Sequence, residues 1–320
     1  MAKSILGLTR WKTILTIAIS LIATRIFIID YFYTGLTMSP TVPILHYSIF
    51  VLATILFSIA ASIFNEYANQ AQYKQIRPEI QYIGNVISEK TSLILSYSFA
   101  GVFIATCYII GAINGFLHLG SIAIAIVFAI YLYITKYKYT YFSGKLILSL
   151  LYALLFLLPI VFEVFCLMSK EDLFRAIGAQ QIIPLFQIGL FFASFAFILT
   201  FLTEITKDLR DEEDDTILGS KTFVTNFGEK LTKGCAYFFT LLLIAAVAYF
   251  QIRYYQHSKS MIVVGMSLLV HLPLLYYMKE LKSANAIQDH DFLVKLLNMV
   301  FISLLFATTA VKYIMTNAVV

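Results

Sequence analysis

Runs of about twenty mostly apolar residues, the length of helix that crosses a bilayer's hydrocarbon, recur along this chain. They lie near 12–33, 42–64, 91–114, 117–135, 146–168, 182–203, 234–252, 260–278 and 293–317. The 320 residues are 60% apolar and only 13% charged. A water-soluble core stops growing near ~250–300 residues, so lipid must cover the apolar surplus. No charged or Pro/Gly-rich stretch is long enough to be a linker or a soluble module. Residues 1–320 therefore read as a single all-α polytopic membrane domain with about nine transmembrane helices. Arg10 and Lys12 precede the first run and no small-residue cleavage site follows it, so that run reads as a retained span rather than a signal peptide.

Charge orients the spans. With the N-terminus in the cytoplasm, seventeen Lys and Arg residues fall in cytoplasmic segments. Only Lys170, Arg175, Arg253 and Lys259 fall on the opposite face, while Arg25 and Lys312 lie within spans. Under the positive-inside rule this predicts a cytoplasmic N-terminus. It also puts the loops after the second, fourth, sixth and eighth spans on that face. The setting this implies is a cell inner (plasma) membrane with the active face cytoplasmic. The net charge of +5 is too small and too scattered for a nucleic-acid footprint. Cys107, Cys166 and Cys235 show neither disulfide nor zinc spacing and read as packing residues.

The carboxylates are the least evenly spread residues. Seven of the eighteen lie between Glu204 and Asp215, just after the sixth run. On a helix, Glu204, Asp208, Asp211 and Asp215 would share one face. Such a stripe repels itself and calls for positive charge. Hard oxygen donors suit Mg²⁺, which takes one or two carboxylates together with substrate phosphates. Gly219, Ser220, Lys221 and Thr222 add a turn and a cation able to meet a phosphate. A solvated acidic loop balanced by Lys207, Arg210 and Lys221 fits the same spacing without any ligand. Spacing alone leaves both readings open.

The run Lys207-Asp208-Leu209-Arg210-Asp211-Glu212-Glu213-Asp214-Asp215, then Gly219, Lys221-Thr222 and Phe227-Gly228, resembles a known motif. It is similar to the second aspartate-rich motif of the UbiA prenyltransferase superfamily, a KDxxDxxxD stretch followed by GxKT. Within that superfamily it is closest to the branch that prenylates glycerol-phosphate lipids. The resemblance implies that Asp208, Asp211 and Asp215 bind Mg²⁺ holding an isoprenoid diphosphate, with Lys207 at the substrate and Lys221 in catalysis. The family's first motif, NDxxDxxxD, aligns with Asn65-Glu66-Tyr67-Ala68-Asn69-Gln70-Ala71-Gln72-Tyr73. Asn65 is kept as a substrate contact, and Glu66 and Asn69 are implied as metal ligands. Asn69 and Tyr73 stand where aspartates belong, and Arg77 is implied as a phosphate contact. Arg10-Trp11 resembles the N-terminal Arg motif and makes Arg10 a substrate contact. The segment Tyr133 to Lys138, then Gly144, resembles the family's Tyr/Lys loop and implies catalytic roles for Tyr133 and Lys138.

The implied activity is Mg²⁺-dependent transfer of a prenyl group from an isoprenoid diphosphate to a lipophilic, membrane-embedded acceptor, with release of pyrophosphate. The interior suits a carbocation-like chain, since the sequence holds 28 Phe and 21 Tyr and aromatic faces attract cations. Loss of two first-motif aspartates leaves an alternative, an isoprenoid- or lipid-binding or assembly protein without the chemistry. A transporter would show inverted repeats with broken helices, and no internal repeat is evident.

Overall fold

A lipid-embedded backbone has no water to bond, so each segment must satisfy its own amides and carbonyls. The chain does so with helices. The computed structural model describes residues 7–72, 82–254 and 264–310. In order come α1 (Trp11–Gly35), α2 (Ile44–Ala68), α3 (Glu89–Asn114), α4 (His118–Tyr137) and α5 (Ser143–Met168). A short α6 (Glu171–Ile177) precedes α7 (Ala179–Arg210), and a second short helix, α8 (Glu212–Ile217), precedes α9 (Phe223–Tyr254). Then come α10 (Leu272–Ser283) and α11 (Ile287–Ala307). The described residues form no β-strand, only isolated bridges.

Among the described residues eight helices are long and apolar enough to cross a bilayer: α1 to α5, α7, α9 and α11. That is one fewer than the nine apolar runs. The difference lies at 260–278, which is described only from residue 264 on. There a π-helical turn, Ser267–His271, leads into α10. The last turns of α10 carry Lys279, Glu280 and Lys282, so its described apolar part is too short to count. The run expected at 293–317 begins earlier, at Ile287, and its last residues lie outside the described ones. Large apolar side chains such as Ile113, Phe128 and Tyr249 are exposed. Surface of that kind is stable against lipid rather than water. The protein is an all-α, multi-pass integral membrane protein.

The described residues fall into two compact units, with α1 and α5 each contributing to both. One unit holds residues 7–22, 41–72, 82–138 and 162–174. Within it α2 packs along α3, and α3 against α4. Phe57 and Phe103 stack across the α2–α3 contact with ring centroids 4.9 Å apart. Glu163 is buried at the α5 end of this unit and accepts the amides of Thr41 and Val42, the latter at 3.3 Å. A buried carboxylate there caps the chain leading into α2.

The other unit holds residues 23–40, 139–161, 175–254 and 264–310. α7 is its centre, packing against both α9 and α11. Phe191 of α7 stacks on Phe250 of α9 at 3.9 Å between centroids, and the Thr206 hydroxyl pairs with the Tyr277 hydroxyl of α10 at 2.7 Å. The latter part of α1 belongs here too. A π-helical turn, Thr24–Ile29, lets the buried Arg25 reach Asp30 five residues on, Nε to Oδ1 at 2.8 Å. Pairing at that spacing suits the wider π repeat and accounts for a cation inside a span.

Candidate functional site

The second motif grows out of the end of α7, which outlasts its apolar run by the residues Glu204 to Arg210. The last turn carries Lys207 and Arg210, cations that suit the negative end of a helix dipole. Asp211 then leaves helical geometry (φ −98°, ψ 15°), and α8 starts at Glu212. The single carboxylate stripe expected from Glu204 to Asp215 is therefore broken at Asp211. The break has an electrostatic cause. In a continued α7, Glu212 to Asp215 would crowd the negative end of one helix, whereas the restart puts them in the first turn of another.

Gly219 closes the turn after α8 with φ 63°, a left-handed conformation in which Cβ-bearing residues are strained. Lys221 then runs beside Thr140 as an isolated parallel bridge, and α9 begins at Phe223. This brings the start of α9 to the end of α7. The Phe223 amide donates to Asp208 Oδ2 at 2.8 Å, and Lys145 Nζ, from the first turn of α5, lies 2.7 Å from the same oxygen. Lys145 and Asp208 are both buried. Lys145 is the residue that sequence reasoning missed as part of the site. It had counted only as one more cytoplasmic charge, and its one signal was its place immediately before an apolar run.

The other second-motif carboxylates differ in their partners. Asp211 is clamped by Arg210 through two contacts, Nε to Oδ1 at 2.8 Å and Nη2 to Oδ2 at 2.7 Å. Lys207 pairs with Glu204 at 2.6 Å. Asp215 is buried, and its pKa is pushed up to about 7, chiefly by that burial and then by the charge of Asp208, with Asp211 adding to it. The Thr222 hydroxyl, hydrogen-bonded to Asp215, and the charge of Lys145 oppose the rise. The carboxyl at Asp215 is thus short of positive charge.

The first-motif residues sit at the end of α2, in the other unit. Asn65 and Glu66 are buried in its last turn and Asn69 caps it. Arg10 Nη2 reaches Glu66 Oε1 at 3.0 Å, and Asn65 Nδ2 donates to the same oxygen at 3.3 Å. Asn69 Nδ2 donates back to the Asn65 carbonyl at 2.7 Å. Tyr133 opens a π-helical turn, Tyr133–Tyr137, that packs against α2, and the Lys138 amide closes that turn on the Tyr133 carbonyl at 2.7 Å. In this unit the structure thus brings Arg10 to Glu66, which Asn65 also contacts, with Asn69 bonded back to Asn65. Tyr73 and Arg77 lie outside the described residues.

Among the described residues no three His, Cys, Asp or Glu side chains close on a metal-sized point. Mg²⁺ does not require such a cage, because it takes one or two carboxylates and fills the rest of its shell with water and phosphate oxygens. The donor chemistry of the second motif fits it. Asp215 lacks a cation partner strong enough to hold its pKa down, and Asp208 and Asp211 supply further carboxylate oxygens nearby. The first motif does not fit, since Glu66 is the single carboxylate among the amides Asn65 and Asn69, and the Arg10 guanidinium already balances its charge.

Residues 26–305 match the UbiA prenyltransferase family. The chain belongs to that family. Two solved structures share the UbiA fold with it. One, described in a study of digeranylgeranylglyceryl phosphate synthase in membranes, is 17% identical with a TM-score of 0.63, covering 96% of this chain and 98% of its own. The other is the apo form of a UbiA homolog from Aeropyrum pernix K1, 9% identical with a TM-score of 0.63, covering 91% of this chain and 96% of its own. At such identities the likeness concerns the UbiA fold alone. No curated protein compared with the chain matches it.

Proposed function

We propose that this UbiA-family protein transfers a prenyl group from an isoprenoid diphosphate to a lipophilic acceptor within the membrane, releasing pyrophosphate, with Mg²⁺ as cofactor. One observation carries the reading. Asp215 is a buried carboxyl beside Asp208 and Asp211, its pKa pushed up to about 7 chiefly by burial, and it is followed by the Gly219–Thr222 turn. Charge is missing where the family's chemistry needs a cation.

Asp215 and Asp211 would hold the metal. Bound Mg²⁺ neutralises negative charge on the departing pyrophosphate, commonly the largest catalytic contribution in such reactions. Asp208 is a positioning residue, because Lys145 and the Phe223 amide fix it and so tie α5, α7 and α9 together beneath the motif. Lys221 is exposed at the start of the segment leading into α9 and suits a phosphate oxygen. Lys207, Asn65, Arg10 and Arg77 are assigned to substrate, and Tyr133 and Lys138 to catalysis. The active face is cytoplasmic in this reading, as the charge asymmetry of the loops suggests. The motif's closeness to the glycerol-phosphate branch makes a glycerol-phosphate lipid the acceptor to try first.

A second reading has its own support. Asn69, tied back to Asn65, and Tyr73 have replaced first-motif aspartates, which suits a lipid-binding protein that has kept the fold and lost the transfer. Binding of geranylgeranyl diphosphate to the purified protein in detergent, with and without Mg²⁺, separates the two. Mg²⁺-dependent binding that Asp211→Asn or Asp215→Asn abolishes supports the transferase. Mg²⁺-independent binding from folded protein refutes it and favours the second reading.

A further inference from the structure

We propose that the first motif of this chain holds no metal ion, and that the guanidinium of Arg10 is its built-in cation. The inference rests on the transferase reading for the second motif, and concerns what the first motif has become.

The placement of Arg10 can be followed from its neighbours. Leu8 is buried against Ile63 of α2 and Ile83, with Tyr67 and Tyr82 packed around them. Ile63 precedes Glu66 by three positions, so the two share one side of α2 about one turn apart. Docking Leu8 on Ile63 therefore carries Arg10 alongside Glu66. At Gly7 the chain is pressed so closely on Tyr82 that a Cβ would lie 2.2 Å from the Tyr82 hydroxyl. The segment has no room to drift.

Arg10 itself is held in an uncommon backbone state. Its φ is 50°, in the left-handed region, which costs a residue with a Cβ ~1–2 kcal/mol. Its amide bonds back to the Gly7 carbonyl at 3.2 Å, and its own carbonyl accepts the Thr13 amide at 2.9 Å as α1 begins. Non-glycine residues persist in this region where their surroundings over-determine them, and such sites cluster at functional positions. The strain here falls on the residue whose guanidinium reaches the Glu66 carboxylate.

The charge balance completes the case. Of Asn65, Glu66 and Asn69 only Glu66 is charged, and its Oε1 receives both Arg10 and Asn65. The Asn69 amide turns its nitrogen toward Asn65, 2.7 Å from the carbonyl oxygen and 3.4 Å from Oδ1, joining two neutral side chains. One negative charge thus meets one positive charge. The Glu66 side chain is 10% exposed and that of Arg10 45%. The guanidinium therefore neutralises a buried acid while remaining accessible. Its planar donors suit phosphate oxygens as well as carboxylates.

Mn²⁺ substitutes for Mg²⁺ and can be counted by electron paramagnetic resonance on the full chain in detergent, with inorganic pyrophosphate present. The expected count is one Mn²⁺ per chain, lost in Asp215→Asn and kept in Glu66→Gln. Two Mn²⁺ per chain, one of them lost in Glu66→Gln, overturns this inference and leaves the transferase reading standing. No bound Mn²⁺ on folded protein overturns both. The parent count needs no variant to fold. In the combined variant Arg10→Met/Asn69→Asp, which unmasks Glu66 and adds a carboxylate, the count should rise to two. A count that stays at one there, with unchanged melting, refutes the part assigned to Arg10.

Discussion

Replacing Lys145 by Met keeps the side-chain volume and removes the cation paired with Asp208. The Lys145 side chain is 5% exposed and that of Asp208 11%, with 2.7 Å between their charged atoms. Removing one partner of a buried pair costs ~3–5 kcal/mol, because the other charge is left uncompensated. Asp208 keeps the Phe223 amide at 2.8 Å, so the loss should lie near the lower end, about 3 kcal/mol. At roughly 2–4 °C per kcal/mol for a domain of this size, the melting temperature should fall by about 6–12 °C. The double variant Lys145→Met/Asp208→Asn removes both charges and should recover ~1–3 kcal/mol, since a buried pair replaced as a whole is often nearly neutral. Cys107 and Cys166 are buried, so a thiol-reactive fluorophore reports unfolding in detergent and circular dichroism checks it. A fall under about 2 °C in Lys145→Met, or a double variant no more stable than the single one, refutes the assignment of Lys145 as the partner that fixes Asp208.

Asp215 predicts a pH dependence. Its folded pKa, about 7, lies above the ~3.9 of an unfolded aspartate, so its contribution to stability is lost as pH rises from about 4 through about 7. Without Mg²⁺, melting temperature should drop between about pH 4 and 7 and level off above that, and Asp215→Asn should flatten that drop; an unchanged slope refutes the link. Over the same interval apparent Mg²⁺ affinity should rise with pH as the metal displaces the proton, which calorimetry in buffers of different ionisation enthalpy would detect as proton release. Thr222→Ala removes the hydroxyl bonded to Asp215 and should weaken Mg²⁺ binding at neutral pH several-fold, on the order of 1 kcal/mol, while Thr222→Ser should retain it. Gly219→Ala forces a Cβ into the left-handed turn and should destabilise the fold by about 1 kcal/mol, visible as a small drop in melting temperature.

The spans were legible because a bilayer sets their minimum length, and α1 to α5, α7 and α9 fall on the apolar runs. Their ends were less legible. α9 starts at Phe223, well before the run at 234–252, because its first turns carry Asn226, Glu229, Lys230 and Lys233 and resemble a loop by composition. They are helical all the same, with a kink at Gly228 where φ is 78° and ψ 163°. The spacing of Asp208, Asp211 and Asp215 pointed to the second motif, whereas the break at Asp211 depends on where helix dipoles begin and end. Lys145 and Asp208 lie 63 positions apart in the chain, and Arg10 and Glu66 56. Pairings of that kind arise from packing and leave no periodic trace. Arg10 and Glu66 were both expected at the site, but as a substrate contact and a metal ligand rather than as partners.

The length of α7 sets the depth of the second motif. At 1.5 Å per residue, Asp208 stands about 7 Å beyond the end of the apolar run at Phe201–Leu202–Thr203. For a helix along the bilayer normal whose apolar run ends at the hydrocarbon edge, that distance falls within the headgroup layer of a bilayer whose hydrocarbon is ~30 Å thick. A prenyl diphosphate with its chain dissolved in the leaflet carries its phosphates at the same height. On the proposed transferase reading, substrate would need only lateral diffusion to meet the motif, so the search would run over a surface rather than through a volume, and the donor would arrive already oriented, tail inward and charge outward.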